Sequence, residues 1–298
     1  MLGSASARAY NAGVTASSNG LPDDEPAPRV GHIGFLNSLP FLAGLELRAV
    51  PPPFALHPGA PTELNALLLA GALDVSPISS IEYAAHADEL VLLPDLCIAS
   101  DGPVASVLLA TRLPPQRLDG RVVALDPSSA TSHALVKLVL WERYRVHPRF
   151  EPRPQSALDG LAADAALVIG DPALRARFSP GDWQLLDLGQ EWKTLTGCRM
   201  VYAVWAARRE FAAGRPRALE AVRTTLLEAL GRALADPAAL AARAAAHSGY
   251  APDFLREYYR LLGYRLGEME RAGLREFYRR AARHHLLAAA PVLSFAAA

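Results

Sequence analysis

The sequence predicts an α/β fold of two lobes, each built on a parallel sheet, with a ligand cleft between them. Short apolar runs alternate with segments of helical spacing from Arg29 to about residue 208, which is typical of sheets covered by helices on both faces. From residue 216 onward the pattern is helical throughout, so these helices must cover a sheet that the earlier chain forms. At 298 residues the chain also reaches the length at which a single core stops growing, about 250–300 residues.

The first part of the chain contains four apolar runs of strand length and one extended, Pro-rich segment. The predicted strands lie at 29–35, 73–79, 90–100 and 104–112, and the Pro-rich segment lies at 51–59. Helices are predicted to begin after the capping residues Asn37 or Ser38, Thr62, and Ser79. A turn signal at 101–103 separates the last two strands.

The second part repeats the alternation before the helical end. Strands are predicted at 121–126, 165–170, 183–189 and 200–208, and helices at 133–144, 171–178 and 191–197. The C-terminal helices are predicted at 219–234, 237–248, 252–262 and 267–287.

We assign residues 29–112 and 201–298 to the first lobe, 113–200 to the second, and 1–28 to a disordered tail that is poor in large apolar groups. The chain then crosses between lobes near 111–118 and 201–208. Two crossings form a hinge, and a hinge implies closure around a ligand. This order of elements fits the type II periplasmic-binding-protein architecture.

Composition excludes several classes of function. Lys and Arg balance Asp and Glu at 30 each, which argues against nucleic acid as a partner. Neither Cys97 nor Cys198 belongs to a metal-ligand spacing, and we interpret both as buried free thiols, with no metal and no cofactor. No signal-peptide pattern and no run of about 20 apolar residues is present, so we expect a cytoplasmic protein with no membrane span. The sequence does not indicate an oligomeric state.

Small polar residues follow the carboxyl ends of the predicted strands, where ligands bind in open α/β sheets. The candidates for ligand binding are Asn37, Ser38, Ser79, Ser80, Ser100, Gly102, Ser106, Ser128, Ser129, Thr131, Ser132, Gly170 and Asp171. Their segments contain no Lys or Arg. For each residue alone the role of a helix cap is favoured, but the set as a whole leads us to expect an anion held by hydroxyls and helix N-termini.

Four other side chains are weaker candidates. Glu82 and Asp171 are possible bases, but each also suits the start of a helix. His133 stands at a helix start, where a surface or supporting role is favoured over that of a base. His32 lies inside the first strand and is interpreted as structural.

Several strings, taken together and in order, carry a family resemblance. They are GHIGFLNSLPF, SPISSIEYA, LLPDLCIASDGPVASVLL, DPSSATSHALVKLVL, ALVIGDPAL and DLGQEWKTLTGCRMVYAVW. The chain from Arg29 to Trp205, and more weakly to about residue 285, resembles the menaquinone-biosynthesis family that contains chorismate dehydratase. The resemblance implies a periplasmic-binding-protein-like fold and a hydro-lyase that converts chorismate to 3-[(1-carboxyvinyl)oxy]benzoate, the first step of the futalosine pathway.

The resemblance also implies which residues reach the cleft. It places Asn37 and Ser38 of LNSLPF there, with Ser79 and Ser80 of SSIEYA, Ser106 of GPVASV, and Ser128, Thr131 and Ser132 of DPSSATS. We expect Asn37 to orient the leaving hydroxyl. The base is expected to be the substrate itself, whose enolpyruvyl carboxylate would take the ring proton. Glu82 or Asp171 is the alternative base.

Two other functions remain open from the sequence. The first is a non-catalytic binding protein of the same fold for a small carboxylate. The second is the sister enzyme that acts on cyclic dehypoxanthinyl futalosine, although LNSLPF with SSIEYA favours the chorismate branch.

Overall fold

A computed structural model describes residues 25–153, 158 and 160–297. The predicted tail lies outside the described residues as far as residue 24. Its last part is in contact with the fold, since Arg215 donates to the Glu25 carboxylate at 2.6 Å and to the Pro26 carbonyl at 2.9 Å.

Eleven strands are present in the part of the chain that the structure describes. They are β1 (Arg29–Ile33), β2 (Ala55–Gly59), β3 (Val75–Ser79), β4 (Leu90–Ser100), β5 (Val107–Thr111), β6 (Val122–Leu125), β7 (Arg149–Pro152), β8 (Ala165–Ile169), β9 (Gln184–Asp187), β10 (Met200–Arg208) and β11 (Leu262–Gly263). Every predicted strand is found, and the predicted extended segment contributes β2.

The α-helices surround these strands. They are α1 (Leu39–Glu46), α2 (Pro61–Leu69), α3 (Ser80–Ala85), α4 (Ala130–Leu138), α5 (Asp171–Ala176), α6 (Leu188–Thr196), α7 (Arg209–Gly214), α8 (Pro216–Ala235), α9 (Pro237–Ser248), α10 (Pro252–Leu261) and α11 (Glu268–Arg283). Short 3-10 turns occupy Leu36–Ser38 and Pro115–Arg117, and a π-helical turn at Val139–Arg143 extends α4. The prediction of Thr62 as a cap is wrong, because α2 begins at Pro61 and Glu63 accepts from the Ala60 amide.

The strands form two sheets that share one pattern. The first has the order β11-β4-β10-β3-β1-β2 and the second the order β7-β6-β8-β5-β9. In each sheet four strands run in one direction, and an antiparallel strand, β10 or β5, is inserted between one of them and the other three. The short β11 is antiparallel to β4 at the edge of the first sheet. The predicted two-lobed α/β class is confirmed, but the sheets are mixed rather than parallel. β5 and β10 are the strands with which the chain enters one sheet from the other, so neither follows a βαβ crossover within its own sheet.

Strand pairing corrects the predicted crossings between lobes. We assigned 104–112 to the first lobe, yet β5 pairs with β8 and β9 in the second sheet. The segment 201–208 is no crossing, because β10 pairs with β3 and β4 along its length. The connections between sheets are therefore 101–106 and 197–199. An apolar run predicts a buried strand but does not indicate which sheet the strand joins.

Apolar packing continues from one sheet to the other. The larger core includes residues of both, and α11 extends it by packing Phe277 against Trp192 of α6, with ring centroids 5.7 Å apart. A smaller core beneath the second sheet is centred on Leu108, Val168 and Trp183. Cys97 is buried and Cys198 half-buried, and neither is in a disulfide.

The described residues contain neither a membrane-spanning helix nor a metal-binding cluster. None of their helices is both long and apolar enough to span a bilayer. No group of three or more His, Cys, Asp and Glu side chains among them is placed to hold a metal ion.

His32 of β1 allows a test of the buried first sheet. It is 3% exposed, and burial lowers the pKa of its imidazole to about 4. In the unfolded chain the histidine pKa is about 6.5, so the unfolded state binds the proton more readily than the folded state. The contribution of His32 to the free energy of unfolding is therefore fully present above pH 6.5 and is lost as the pH falls toward 4. We expect this loss to reduce the free energy of unfolding by about 2 kcal/mol between pH 7.5 and pH 5.

The measurement is urea unfolding of the parent and of His32→Leu at both pH values. The variant should lose less stability on acidification than the parent. Equal losses in the two proteins would show that His32 is not held neutral.

Candidate active site

A cavity lies between the two sheets, at the ends of β1, β3 and β8. Its polar lining consists of Asn37, Ser79, Ser106, Ser129, Ser132 and Tyr202. Its apolar lining consists of Ile33, Phe35, Pro61, Ile98, Val104, Val107, Ile169 and Ala203. None of these residues is Lys, Arg, His, Asp or Glu. The cavity therefore has apolar walls with a few hydroxyls and one amide.

Asn37 lies in the 3-10 turn that follows β1. Its side-chain Oδ1 is buried and has no hydrogen-bond partner, and the same is true of the hydroxyl of Ser38. Leaving a buried acceptor unpaired costs about 1–3 kcal/mol. Asn37 lines the cavity, whereas Ser38 is fully buried beside α1 and is not part of the lining.

The N-terminus of α4 supplies two hydroxyls to the cavity. Ser129 is the N-cap residue, and its Oγ accepts from the Ser132 amide at 3.4 Å and lies 3.1 Å from the Ser132 hydroxyl. Ser128 is one residue further from the helix and is used in a turn, where its amide donates to Asp126 at 2.9 Å. The positive end of α4 and the two hydroxyls suit an anionic group.

Ser79 completes the hydroxyl lining from the first lobe. It precedes α3, and its side chain makes no capping bond to that helix. Its backbone amide is fixed by donating to Asn65 at 3.3 Å.

Ser80 and Thr131 are fully buried and bond to protein groups instead of lining the cavity. Their hydroxyls lie 3.3 Å apart, and Ser80 also donates to the Val201 carbonyl at 2.9 Å. The Ile81 amide donates to the Thr131 hydroxyl at 3.3 Å. These contacts join the start of α3 to the start of α4, so we interpret both residues as linking the lobes. Their hydroxyls are not available to a ligand in this arrangement.

Ser100 and Gly102 do not line the cavity, but Ser100 contacts Tyr202, which does. The Ser100 hydroxyl donates to the Gly102 carbonyl at 2.9 Å and lies 3.1 Å from the hydroxyl of Tyr202. Burial raises the pKa of Tyr202 well above its ordinary value, so the phenol stays protonated. Sequence analysis missed Tyr202, because an aromatic residue in an apolar strand gives no sign of facing a ligand.

Ser106 and Gly170 meet where β5 begins and β8 ends. The Gly170 amide donates to the Ser106 carbonyl at 2.8 Å, and the Ser106 hydroxyl, which lines the cavity, accepts from Tyr258 at 3.0 Å. Gly170 has a φ of +66°, and the ring of Phe35 lies 3.7 Å from the position of an added Cβ. Gly170 therefore shapes the chain beside the cavity without lining it.

The candidate acid–base side chains lie outside the lining. Burial raises the pKa of Asp171, opposed by the charge of Arg175 and the amide of Leu36, and its Oδ1 is buried without a partner. Glu82 is half-buried in the first turn of α3. His133 has its Nε2 2.5 Å from the Asp126 carbonyl. Of the three, only Asp171 combines burial with an unpaired oxygen.

A model of the protein family described as menaquinone biosynthesis matches residues 28–283. The chain belongs to this family. It is 39% identical over 241 residues to a chorismate dehydratase of Thermus thermophilus, covering 74% of this chain and 84% of that protein. It is 30% identical over 171 residues to a 1,4-dihydroxy-6-naphtoate synthase of the same organism, covering 56% and 60%.

Solved structures support the fold of this family member. The periplasmic aliphatic sulphonate binding protein SsuA of Escherichia coli superimposes with a TM-score of 0.61, covering 89% of this chain and 90% of that one at 18% identity. The expected periplasmic-binding-protein-like fold is thereby confirmed.

A second residue that sequence analysis missed is Asp187, which holds the first connection between the sheets. Its carboxylate accepts from the amides of Val104 and Ala105, at 3.0 and 2.7 Å, and from those of Gly189 and Gln190 at the start of α6, at 3.0 and 3.2 Å. The sequence signal is an Asp directly before a helix, which is typical of an N-cap. Asp187 fixes the chain that leads to Ser106.

Gly189 is packed where this connection meets Tyr202. A Cβ at this position would lie within 3.0 Å of the Gly102 carbonyl and of the hydroxyls of Tyr202 and Ser100. We expect Gly189→Ala to lower the free energy of unfolding by about 1–3 kcal/mol, since the crowded groups must move. Chemical unfolding measures the change.

Gly231 is the matched control. It lies exposed in α8 with nothing within 4 Å of an added Cβ. Gly231→Ala should raise stability by up to about 1 kcal/mol through helix propensity. A Gly189→Ala protein as stable as the parent would contradict the close packing around Tyr202.

Proposed function

We propose that this chain is a hydro-lyase that removes water from chorismate to give 3-[(1-carboxyvinyl)oxy]benzoate, in the futalosine route to menaquinone. Family membership and the 39% identical relative named chorismate dehydratase support the proposal. The single observation that carries it within the site is the unpaired Oδ1 of Asn37. A buried acceptor needs a donor, and the ring hydroxyl is the one hydrogen-bond donor on the chorismate dianion.

The rest of the cavity suits the remainder of that molecule. A carboxylate of the substrate would accept from the Ser129 and Ser132 hydroxyls at the positive end of α4. The ring would lie against Phe35 and the aliphatic walls. Because no charged side chain lines the cavity, hydrogen bonds to the substrate act in a medium of low dielectric constant, which strengthens them.

The proposed reaction uses the substrate as its own base. The enolpyruvyl carboxylate takes the ring proton, the ring hydroxyl departs with that proton as water, and the ring becomes aromatic. The protein contributes orientation and exclusion of water, and the Asn37 amide holds the departing hydroxyl. The alternative base is Asp171 or Glu82; burial raises the pKa of Asp171, and its Oδ1 is buried without a partner.

Two other functions are distinguishable by experiment. One is a non-catalytic binding protein for a small carboxylate, whose fold SsuA shares, and the other is the sister enzyme that acts on cyclic dehypoxanthinyl futalosine. Incubation with chorismate, followed by ultraviolet absorbance and chromatography, decides between them. The aromatic product appears only if the chain is the dehydratase, whereas binding without turnover, or no binding, would contradict the proposal.

We expect Asn37→Ala to lower kcat by about 10²-fold with a smaller change in KM, because the ring hydroxyl would no longer be held in the orientation for departure. Ser129→Ala should instead act mainly on KM, by the equivalent of one hydrogen bond, roughly 1–3 kcal/mol. Steady-state kinetics on both variants separates the two effects. Asn37→Ala at the parent rate would contradict the placement of the hydroxyl.

Glu82→Gln and Asp171→Asn test the identity of the base. If the substrate carboxylate takes the proton, both variants should retain a measurable rate wherever folding and product binding are intact. Loss of all turnover in Asp171→Asn, with normal product affinity, would identify Asp171 as the base instead.

A further inference from the structure

Two tyrosines of the C-terminal segment, which we define as residues 252–297, contact the turn that carries Asn37. The hydroxyl of Tyr259, in α10, donates to the Leu36 carbonyl at 3.1 Å. The hydroxyl of Tyr264, just after β11, donates to the Asn37 carbonyl at 3.0 Å. Both tyrosines are buried, at 7% and 4% exposure, and neither is part of the cavity lining.

These bonds fix the peptide groups on either side of Asn37. The carbonyl of Leu36 belongs to the peptide group before Asn37. The carbonyl of Asn37 belongs to the peptide group after it. The Ser38 amide, in that second peptide, donates to the Phe35 carbonyl at 3.0 Å and closes the turn. With both peptide planes held, the direction of the Cα–Cβ bond of Asn37 is set.

The Asn37 side chain depends on this backbone support. Its Oδ1 has no hydrogen-bond partner among the described residues, so no bond of its own holds that oxygen in place. Tyr264 is itself held, because its ring packs edge-on against Phe41 at 5.8 Å and its carbonyl accepts from the Cys97 amide at 3.1 Å. Removing the Tyr264 hydroxyl would leave this ring packing intact.

We propose that Tyr264, assisted by Tyr259, is a positioning residue that aims the Asn37 amide into the cavity. It acts through the Asn37 backbone and does not touch the ligand. The kinetic consequence rests on the proposed function, whereas the structural consequence, a looser Leu36–Ser38 turn, does not.

The kinetic test is a double-mutant cycle with chorismate. Tyr264→Phe should lower kcat about tenfold, with KM within about twofold of the parent, since one neutral hydrogen bond is lost. In an Asn37→Ala background the same substitution should change kcat less than twofold, because the group that it aims is gone. Equal losses in the two backgrounds would overturn the proposal, since the effect would not pass through Asn37.

Tyr83→Phe is the matched control. Tyr83 is as buried as Tyr264, but its hydroxyl accepts from the Ser294 amide at 3.0 Å, in the C-terminal segment. Tyr83→Phe should leave kcat and KM unchanged. Should Tyr264→Phe fail to fold, Tyr259→Phe takes its place in the cycle, with the same expected and contradicting results.

Hydrogen exchange measured by mass spectrometry tests the positioning without substrate. A peptide covering residues 33–41 should exchange faster in Tyr264→Phe than in the parent, and at the parent rate in Tyr83→Phe. If the parent chain does not turn over chorismate, the proposed function fails while this measurement still decides the positioning role. Unchanged exchange of the peptide in Tyr264→Phe would overturn it.

Discussion

Polar groups buried between two sheets need hydrogen-bond partners, and the site of this protein is built around that requirement. The turns after β1, β3 and β4 bring backbone carbonyls and hydroxyls into a region with little water. Tyrosine hydroxyls from the C-terminal segment meet several of them, at Leu36, Asn37, Ser80 and Ser106. Each of these bonds offsets a desolvation cost of about 1–3 kcal/mol. Against this background the unpaired amide oxygen of Asn37 stands out as a place for a ligand.

The same requirement explains how an uncharged cavity would hold the carboxylate that we propose as its ligand. A Lys or Arg in the cavity would itself need a buried partner whenever the ligand is absent. Hydroxyls and a helix N-terminus avoid that cost, because Ser129 and Ser132 can bond to each other. A carboxylate can then exchange these bonds for stronger, charge-assisted ones. The cavity would then hold a carboxylate although no charged side chain lines it.

Local sequence patterns predicted the turn that carries Asn37 and the strands and helices other than β7, β11 and α7, because alternation and capping are set by neighbours in the chain. They also predicted that Ser79, Ser106, Ser129 and Ser132 would reach the cleft. They did not reveal that Ser80 and Thr131 bond to each other, since those residues are 51 positions apart.

Long-range pairing also explains the other errors. The sheet that β5 joins is decided by its contact with β8, which no pattern within β5 encodes. Tyr264 donates to the carbonyl of Asn37, which lies 227 positions earlier in the chain. Tyr202 lines the cavity, although its strand is apolar throughout and has the sequence pattern of a core strand. What sequence reasoning lacks is knowledge of which distant element returns to a given turn.

The most direct test of this account is a crystal structure with 5,6-dihydrochorismate, which keeps the ring hydroxyl and both carboxylates but cannot become aromatic. The account predicts that this molecule lies in the cavity between the sheets. Its hydroxyl should lie about 2.7 Å from the Asn37 Oδ1 and one carboxylate should contact Ser129 and Ser132. A molecule bound outside the cavity, or one whose hydroxyl points away from Asn37, would contradict it.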